Sequence, residues 1–226
     1  MIPPIYQTTN WRASQNEVAR NYTEAIQANN VKHVVNLSSI GAHLGNGTGP
    51  VDALYDFEQM LNSLTNLHVK HLRPSFFYYN FMAQIPLAKQ ASILGGNYGE
   101  PDGEKLLLVH TEDIAAAALE ELTQLSFTGS SVRYIYSDER SAQEIAQVLG
   151  NAIDKPLNWV VFTDEQQKQG LLQAGLGETH AQGYADLGQS LRSGRMQADA
   201  KLHKPTPGNI KLEQFAKEFA GAFAAS

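Results

Sequence analysis

The sequence predicts an α/β fold: a mostly parallel sheet covered by helices on both faces, followed by a small, mainly helical C-terminal lobe. Three observations predict it. Short apolar strands alternate with helices of 3.6-residue period along the first two thirds of the chain. Residues 34–80 read as strand, serine-bearing turn, glycine-rich loop, helix, strand and a second turn opened by Arg73-Pro74, the back half of a nucleotide-binding sheet. From Thr163 to its end the chain is helical.

The elements follow in order. Residues 14–30 open on Ser14-Gln15-Asn16-Glu17, a capping-box pattern, and set Val18, Tyr22, Ala25 and Ile26 at helical spacing. Asn29-Asn30 ends this helix, and residues 31–37 form a short apolar strand. Pro50 takes the first position of the next helix, whose buried stripe is Leu54, Phe57, Leu61 and Leu64. Residues 68–73 are a second strand, stopped by Pro74. Pro86, Gly95-Gly96 and the glycines at 99 and 103 mark a loop-rich stretch. Residues 106–109 are a strand, Thr111 caps an alanine-rich helix over 112–125, and residues 132–136 are another strand. Ser141-Ala142-Gln143-Glu144 and Thr163-Asp164-Glu165-Gln166 are further capping patterns, either side of a short strand at 159–162. The last helix carries Leu212, Phe215, Phe219 and Phe223 on one face. The chain divides at 137: residues 1–137 hold the sheet, and residues 138–226 form the lobe that packs on it.

Composition narrows the function. The net charge is −6 and the basic residues do not cluster, which argues against a nucleic-acid surface. Without cysteine there is no disulfide, thiolate metal site or thiol nucleophile, and the composition fits a reducing compartment. The N-terminus lacks a basic segment followed by an apolar core, and no apolar run approaches the roughly 20 residues of a membrane helix. A cytoplasmic protein with a small-molecule partner, and neither nucleic acid nor membrane, is expected.

Ligands in open α/β sheets bind beyond the carboxyl ends of the strands, which here are the first residues, Ser38-Ser39 and residues 73–80. Two serine hydroxyls at a strand end can donate to a carbonyl or an amide. Phe76 and Phe77 can wall an apolar pocket or plug the core, and Asn80 needs partners if buried. His43 is the histidine nearest this crevice and is the candidate proton donor. Gly45-Asn46-Gly47-Thr48-Gly49 lies too far past its strand for a phosphate loop and reads as a flexible substrate loop. Glu58 reads as a structural hydrogen-bonding acid, and Asp52 and Asp56 as a solvated face. His68 and His71, three apart on a strand, point to opposite faces and form no metal pair.

In this order, Pro3-Pro4, residues 31–39, Leu72-Arg73-Pro74 with Phe77 and Asn80, Thr111-Glu112-Asp113-Ile114-Ala115, residues 141–149 and Thr206-Pro207 resemble the NmrA-like family, an atypical branch of the short-chain dehydrogenase/reductase superfamily. The resemblance covers nearly the whole chain. It implies a Rossmann-like fold binding NAD or NADP, in members that reduce quinones or small carbonyl compounds or that sense the dinucleotide without turning it over. It places Pro3 and Pro4 near the ribose and phosphates, Ser38 and Ser39 at the nicotinamide, and Pro74, Phe76, Phe77 and Asn80 over it.

Two departures shape the expectation. Registered on Glu58, the superfamily's tyrosine and lysine positions hold Pro50 and Leu54, and Tyr55 has Gln59 four residues on, so the usual proton relay is missing. The family's opening strand, glycine-rich turn and helix have no counterpart, so the domain reads as N-terminally truncated, with Met1-Ile2 the tail of a fourth strand. The pyrophosphate then lacks its helix N-terminus, and the strand at residues 31–37 has an open edge through which the protein can self-associate or act as an interaction module. The expected protein is a dinucleotide-binding redox sensor or weak reductase, with an NAD(P)H-dependent quinone or carbonyl oxidoreductase as the alternative.

Overall fold

The computed structural model describes residues 1–3, 5, 8–203 and 205–226. Helix α1 (Trp11–Ala28) leads into β1 (His33–Leu37), and α2 (Asp52–Asn62) into β2 (His68–Pro74). There follow β3 (Phe76–Phe77), α3 (Ile85–Ala91), β4 (Ile93–Gly96), β5 (Leu106–Val109) and α4 (Thr111–Gln124). Then come β6 (Ser130–Ile135), β7 (Asp138–Arg140), α5 (Ala142–Ala152) and β8 (Asn158–Val161). Helices α6 (Asp164–Gln173), α7 (Glu178–Arg192), α8 (Arg195–His203) and α9 (Leu212–Ala225) close the chain.

The strands β1, β2 and β6 pair in that order, all parallel, with Val34 opposite Val69 and Arg73 opposite Tyr134. Beside them β3 pairs parallel with β5, β7 adds antiparallel to β5, and β4 pairs parallel with β8. Strand alternation sorts the faces. Val34 and Val69 pack with Phe57 and Leu61 of α2 and Ala19 of α1. Val35, Leu37 and Leu72 turn the other way, onto Ile114 and Ala117 of α4. Helices thus cover both faces of a parallel sheet, as the alternating pattern predicts. The largest core joins Tyr78, Phe81 and Leu108 to Ile145, Leu149, Phe215 and Phe219, residues from both sides of position 137.

Several local details differ from the sequence reading. Helix α1 starts at Trp11, with the Asn10 side chain accepting from Ala13 N at 3.1 Å, while Ser14 bonds the Thr8 hydroxyl at 2.8 Å. The earlier start buries Trp11 edge-on against His180 of α7, ring centroids 4.9 Å apart. His110, not Thr111, caps α4, its Nδ1 accepting from Glu112 N at 3.2 Å. Gly95 and Gly96 lie inside a strand whose neighbouring rings leave no room for a side chain: a Cβ would stand 2.7 Å from Phe162 and 2.1 Å from Tyr98. The boxes at Ser141 and Thr163 form as the sequence predicts. Met1-Ile2 forms no strand; Ile2 is buried against α1, α2 and β2.

Asp52 and Asp56 are engaged rather than merely solvated. Asp56 takes two bonds from the Arg12 guanidinium, both 2.8 Å, and one from Asn16 at 2.7 Å. The Arg12 bond holds the Asp56 carboxyl below its usual range. Asp52 accepts from Gly47 N at 3.2 Å, Thr48 N at 3.0 Å and the Thr48 hydroxyl at 2.6 Å.

Candidate functional site

The carboxyl ends of the strands are stitched to one another by main-chain bonds. Ser38 N donates to Leu72 O at 2.8 Å, Ile40 N to Pro74 O at 3.0 Å, and Ser75 N to Ile135 O at 2.9 Å. Above these ends lies a cleft of about 200 Å³. Ser39, Ile40, Ser75, Phe76, Phe77 and Asn80 form its sheet side, and Val51, Leu187, Leu191 and Met196 its far wall. Phe76 is held by Phe81 and Tyr98, at centroid distances of 5.6 and 5.3 Å.

Glycines bring the far wall in. Gly49 has φ +57° and its Cβ would fall 2.0 Å from Gly183 O, so α7 packs directly on this backbone. Gly41, at φ +80°, leaves room for Met196, whose methyl would be 2.8 Å from a Cβ there. The glycine-rich segment is therefore clamped, with Ser190 Oγ donating to Gly47 O at 2.6 Å. Its Gly47 and Thr48 amides already bind the Asp52 carboxylate, so they do not form a free anion cradle.

Beneath the cleft a charged network is buried. Glu58, 1% exposed, accepts from Ser38 Oγ at 2.5 Å, from Arg73 Nε at 3.0 Å and from Arg73 Nη2 at 2.6 Å. Arg73 also donates to the Tyr134 hydroxyl at 2.8 Å, and that hydroxyl donates to Asp199 of α8. Burial opposes the Arg73 charge, yet the bonds to Glu58 and Tyr134 hold its pKa above the ordinary value. Tyr134 is pushed up to about 12 by burial and by its bond to Asp199.

The candidate residues fall into three groups. Ser39, Phe76, Phe77 and Asn80 line the cleft, Asn80 being exposed rather than buried. Ser38 and His43 belong to the charged layer instead: Ser38 gives its hydroxyl to Glu58, whose buried lone pairs need donors. His43 is held below its usual pKa by burial, with Asp199 and Glu58 opposing and Arg73 assisting, and its Nδ1 is buried without a partner among the described residues. Pro74 contributes its carbonyl to Ile40, Pro3 is exposed, and Pro4 lies outside the described residues. Sequence reasoning missed Ser75, because a serine in an aromatic turn has no signature of its own. It also missed Leu187, Leu191 and Met196, whose place depends on how distant helices pack.

Among the described residues no tyrosine–lysine pair lines the cleft. Pro50 sits in a tight turn over residues 49–51, and Leu54 packs in the apolar cluster with Ile2 and Phe57. The Tyr55 ring lies under Gly45, 3.2 Å from where a Cβ would be. Among the described residues no group of three or more His, Asp or Glu side chains is placed to hold a metal ion.

Solved structures share this fold. Citrobacter sp. triphenylmethane reductase complexed with NADP(H) superposes with a TM-score of 0.74, at 18% identity, over 97% of this chain and 74% of its own. NmrA, a negative transcriptional regulator in complex with NAD, gives 0.73 at 13% identity over 96% and 74%. The chain has an NmrA-like fold. An NADPH-dependent quinone oxidoreductase of Escherichia coli, complexed with NADPH, shares this NmrA-like fold at a TM-score of 0.72 and 22% identity over 94% and 73% of the two chains. No family model matches the sequence. An NAD(P)H azoreductase of Xenophilus azovorans is 27% identical over 158 residues, 70% of this chain and 54% of that protein. The chain thus spans about half the length of this curated relative.

The cleft and the NmrA-like fold agree on one point of fit. Among the described residues every side chain lining the cleft is uncharged, and two hydroxyls and an amide stand among apolar walls. That donor set suits a neutral ring bearing an amide or carbonyl and does not suit a phosphate.

Proposed function

We propose that this chain forms the ring-holding part of an NAD(P)-binding protein, a dinucleotide-binding redox sensor or weak reductase whose phosphate-binding front lies outside the sequence described. The observation that carries this reading is the neutral cleft beyond β1 and β2, lined on its sheet side by Phe76 and Phe77 and bounded by α7 and α8. A bound nicotinamide supplies hydride chemistry. This chain's own residues supply enclosure: Ser39, Ser75 and Asn80 are the polar contacts, while Leu187, Leu191 and Met196 exclude water on the substrate side. Residues 1–137 then face the cofactor and residues 138–226 the substrate. The truncated reading is supported by the edge of β1, with which no strand pairs among the described residues. His43 would act on the ring only indirectly, through the charged layer below. Without a titratable group in the cleft, binding and sensing are favoured over catalysed proton transfer.

The quinone or small-carbonyl oxidoreductase is the second reading. It is favoured by the apolar, neutral wall and by the azoreductase and quinone oxidoreductase to which the chain is similar. On either reading the protein is expected to work in the cytoplasm on a small molecule; no helix among the described residues is long and apolar enough to cross a membrane.

Calorimetric titration with NADPH tests the first reading. No saturable binding at micromolar NADPH is expected, because the pyrophosphate has no anchor here; a micromolar dissociation constant overturns it. On a protein that carries the phosphate-binding front as well, NADPH oxidation against a quinone panel separates the two readings, turnover favouring the reductase and inert binding the sensor.

A further inference from the structure

We propose that Ser75 is the ligand-orienting group of the cleft, its hydroxyl bonding the carbonyl oxygen of a neutral planar ring. The inference rests on the cleft being the ligand site, as proposed above.

Ser75 is 4% exposed, and its Oγ is buried without a hydrogen-bond partner among the described residues. A buried hydroxyl left unpaired destabilises a fold, so one that is retained needs a use. The other such atoms among the described residues belong to side chains outside the cleft lining, Gln15 and His43 among them. Asn16 and Asn36 are amides whose nitrogens are bonded, to Asp56 and His71. Ser131 stands on β6, remote from the ends of β1 and β2. Among the described residues only the Ser75 hydroxyl combines an unmet bond with a place in the cleft lining.

Its backbone is fixed, since Ser75 N donates to Ile135 O at 2.9 Å. A turn about one side-chain bond then presents the hydroxyl to a ligand without moving the chain. The flanking Phe76 and Phe77 require a flat partner, and the absence of any charged lining group requires a neutral one. A dihydronicotinamide carboxamide and a quinone carbonyl share this chemistry. Ser39 is also in the lining but is partly exposed, so solvent already satisfies it.

The test uses three neutral probes on the whole chain, read by protein fluorescence or calorimetry: 1-methyl-1,4-dihydronicotinamide, menadione and 2-methylnaphthalene. Wild type is expected to prefer a carbonyl-bearing ring to the hydrocarbon. Ser75→Ala is expected to weaken the carbonyl probe by about fivefold to tenfold, the worth of one neutral hydrogen bond, and to leave the hydrocarbon unchanged. Ser75→Cys, a weaker donor of similar shape, should fall between. Loss confined to the dihydronicotinamide assigns Ser75 to the cofactor, and loss confined to menadione assigns it to the substrate. The unliganded Ser75→Ala protein should melt no lower than wild type, because no protein bond is removed.

Wild-type affinity for the carbonyl probes with no loss in Ser75→Ala overturns this inference alone, as does a clear drop in its melting temperature. Failure of wild type to bind any probe overturns the reading of the cleft itself.

Discussion

Glu58 and Arg73 show how much of this site is architecture. Their side chains are 1% and 9% exposed and share bonds of 2.6 and 3.0 Å, with Ser38 completing the carboxylate. Removing one member strands a buried charge, which typically costs about 3–5 kcal/mol. Glu58→Ala should lose that much in urea unfolding, while Glu58→Leu with Arg73→Met should recover most of it. His71 makes a second residue-level prediction. It is 1% exposed, taking a bond from the Asn36 amide at Nδ1 and giving one from Nε2 to Asn62. Burial lowers its pKa below the usual 6.5, with Glu58 opposing and Arg73 assisting, so the folded protein disfavours its charge. The unfolded chain takes up a proton as pH falls through about 6.5, and the folded chain resists until lower pH. Stability from this group is therefore full above neutrality and is lost on acidification, by up to about 1.4 kcal/mol per pH unit. His71→Gln should flatten that loss between pH 7 and 5. A loss unchanged from wild type would place the proton elsewhere, with His43 next in line, since burial lowers its pKa too.

At the scale of elements, the contact between the Gly49 turn and α7 sets the cleft's far wall. Gly49→Ala adds a Cβ 2.0 Å from Gly183 O at φ +57°, and should cost about 2–4 kcal/mol while speeding hydrogen exchange in α7. Normal exchange in α7 would show that the wall does not depend on this approach. The same contact explains what the sequence hid. Residues 45–49 look like a free loop because their glycines carry no trace of the distant Gly183 they accommodate. Gly95 misleads in the same way, since the Phe162 ring it admits lies beyond β8, outside its own segment. By contrast, the helices at Ser141 and Thr163 were legible, because a capping box is a local bond between residues three apart. The acid of Thr111-Glu112-Asp113 was visible without its purpose: Asp113 accepts from Ser137 Oγ at 2.6 Å and from the Asn209 and Ile210 amides at 3.0 and 3.1 Å, tying α4 to the approach of α9. Of the cleft itself, strand-end residues Ser39, Phe76, Phe77 and Asn80 could be read from position, whereas its far wall depends on tertiary packing.

For the whole molecule, the open edge of β1 and the neutral cleft are the two features to reconcile. Lys32 O and Ser38 N bond β2, so the even positions of β1 face their neighbour and the amide of Val35 faces away. Self-association through that edge is a proposal with a direct check: Val35→Pro removes an amide β2 does not use and should shift light-scattering mass toward monomer. An unchanged assembly would remove the edge from consideration. The central claim is that this chain holds the ring of a nicotinamide nucleotide and not its phosphates. It is tested most directly by NMR titration of the chain with reduced nicotinamide mononucleotide and, separately, with NADPH. The account predicts shifts at Ser39, Ser75 and Asn80 with both, and dissociation constants within about threefold of each other, because the adenylate half finds no contact. Binding of NADPH more than about tenfold tighter, or shifts that bypass the cleft, would contradict it.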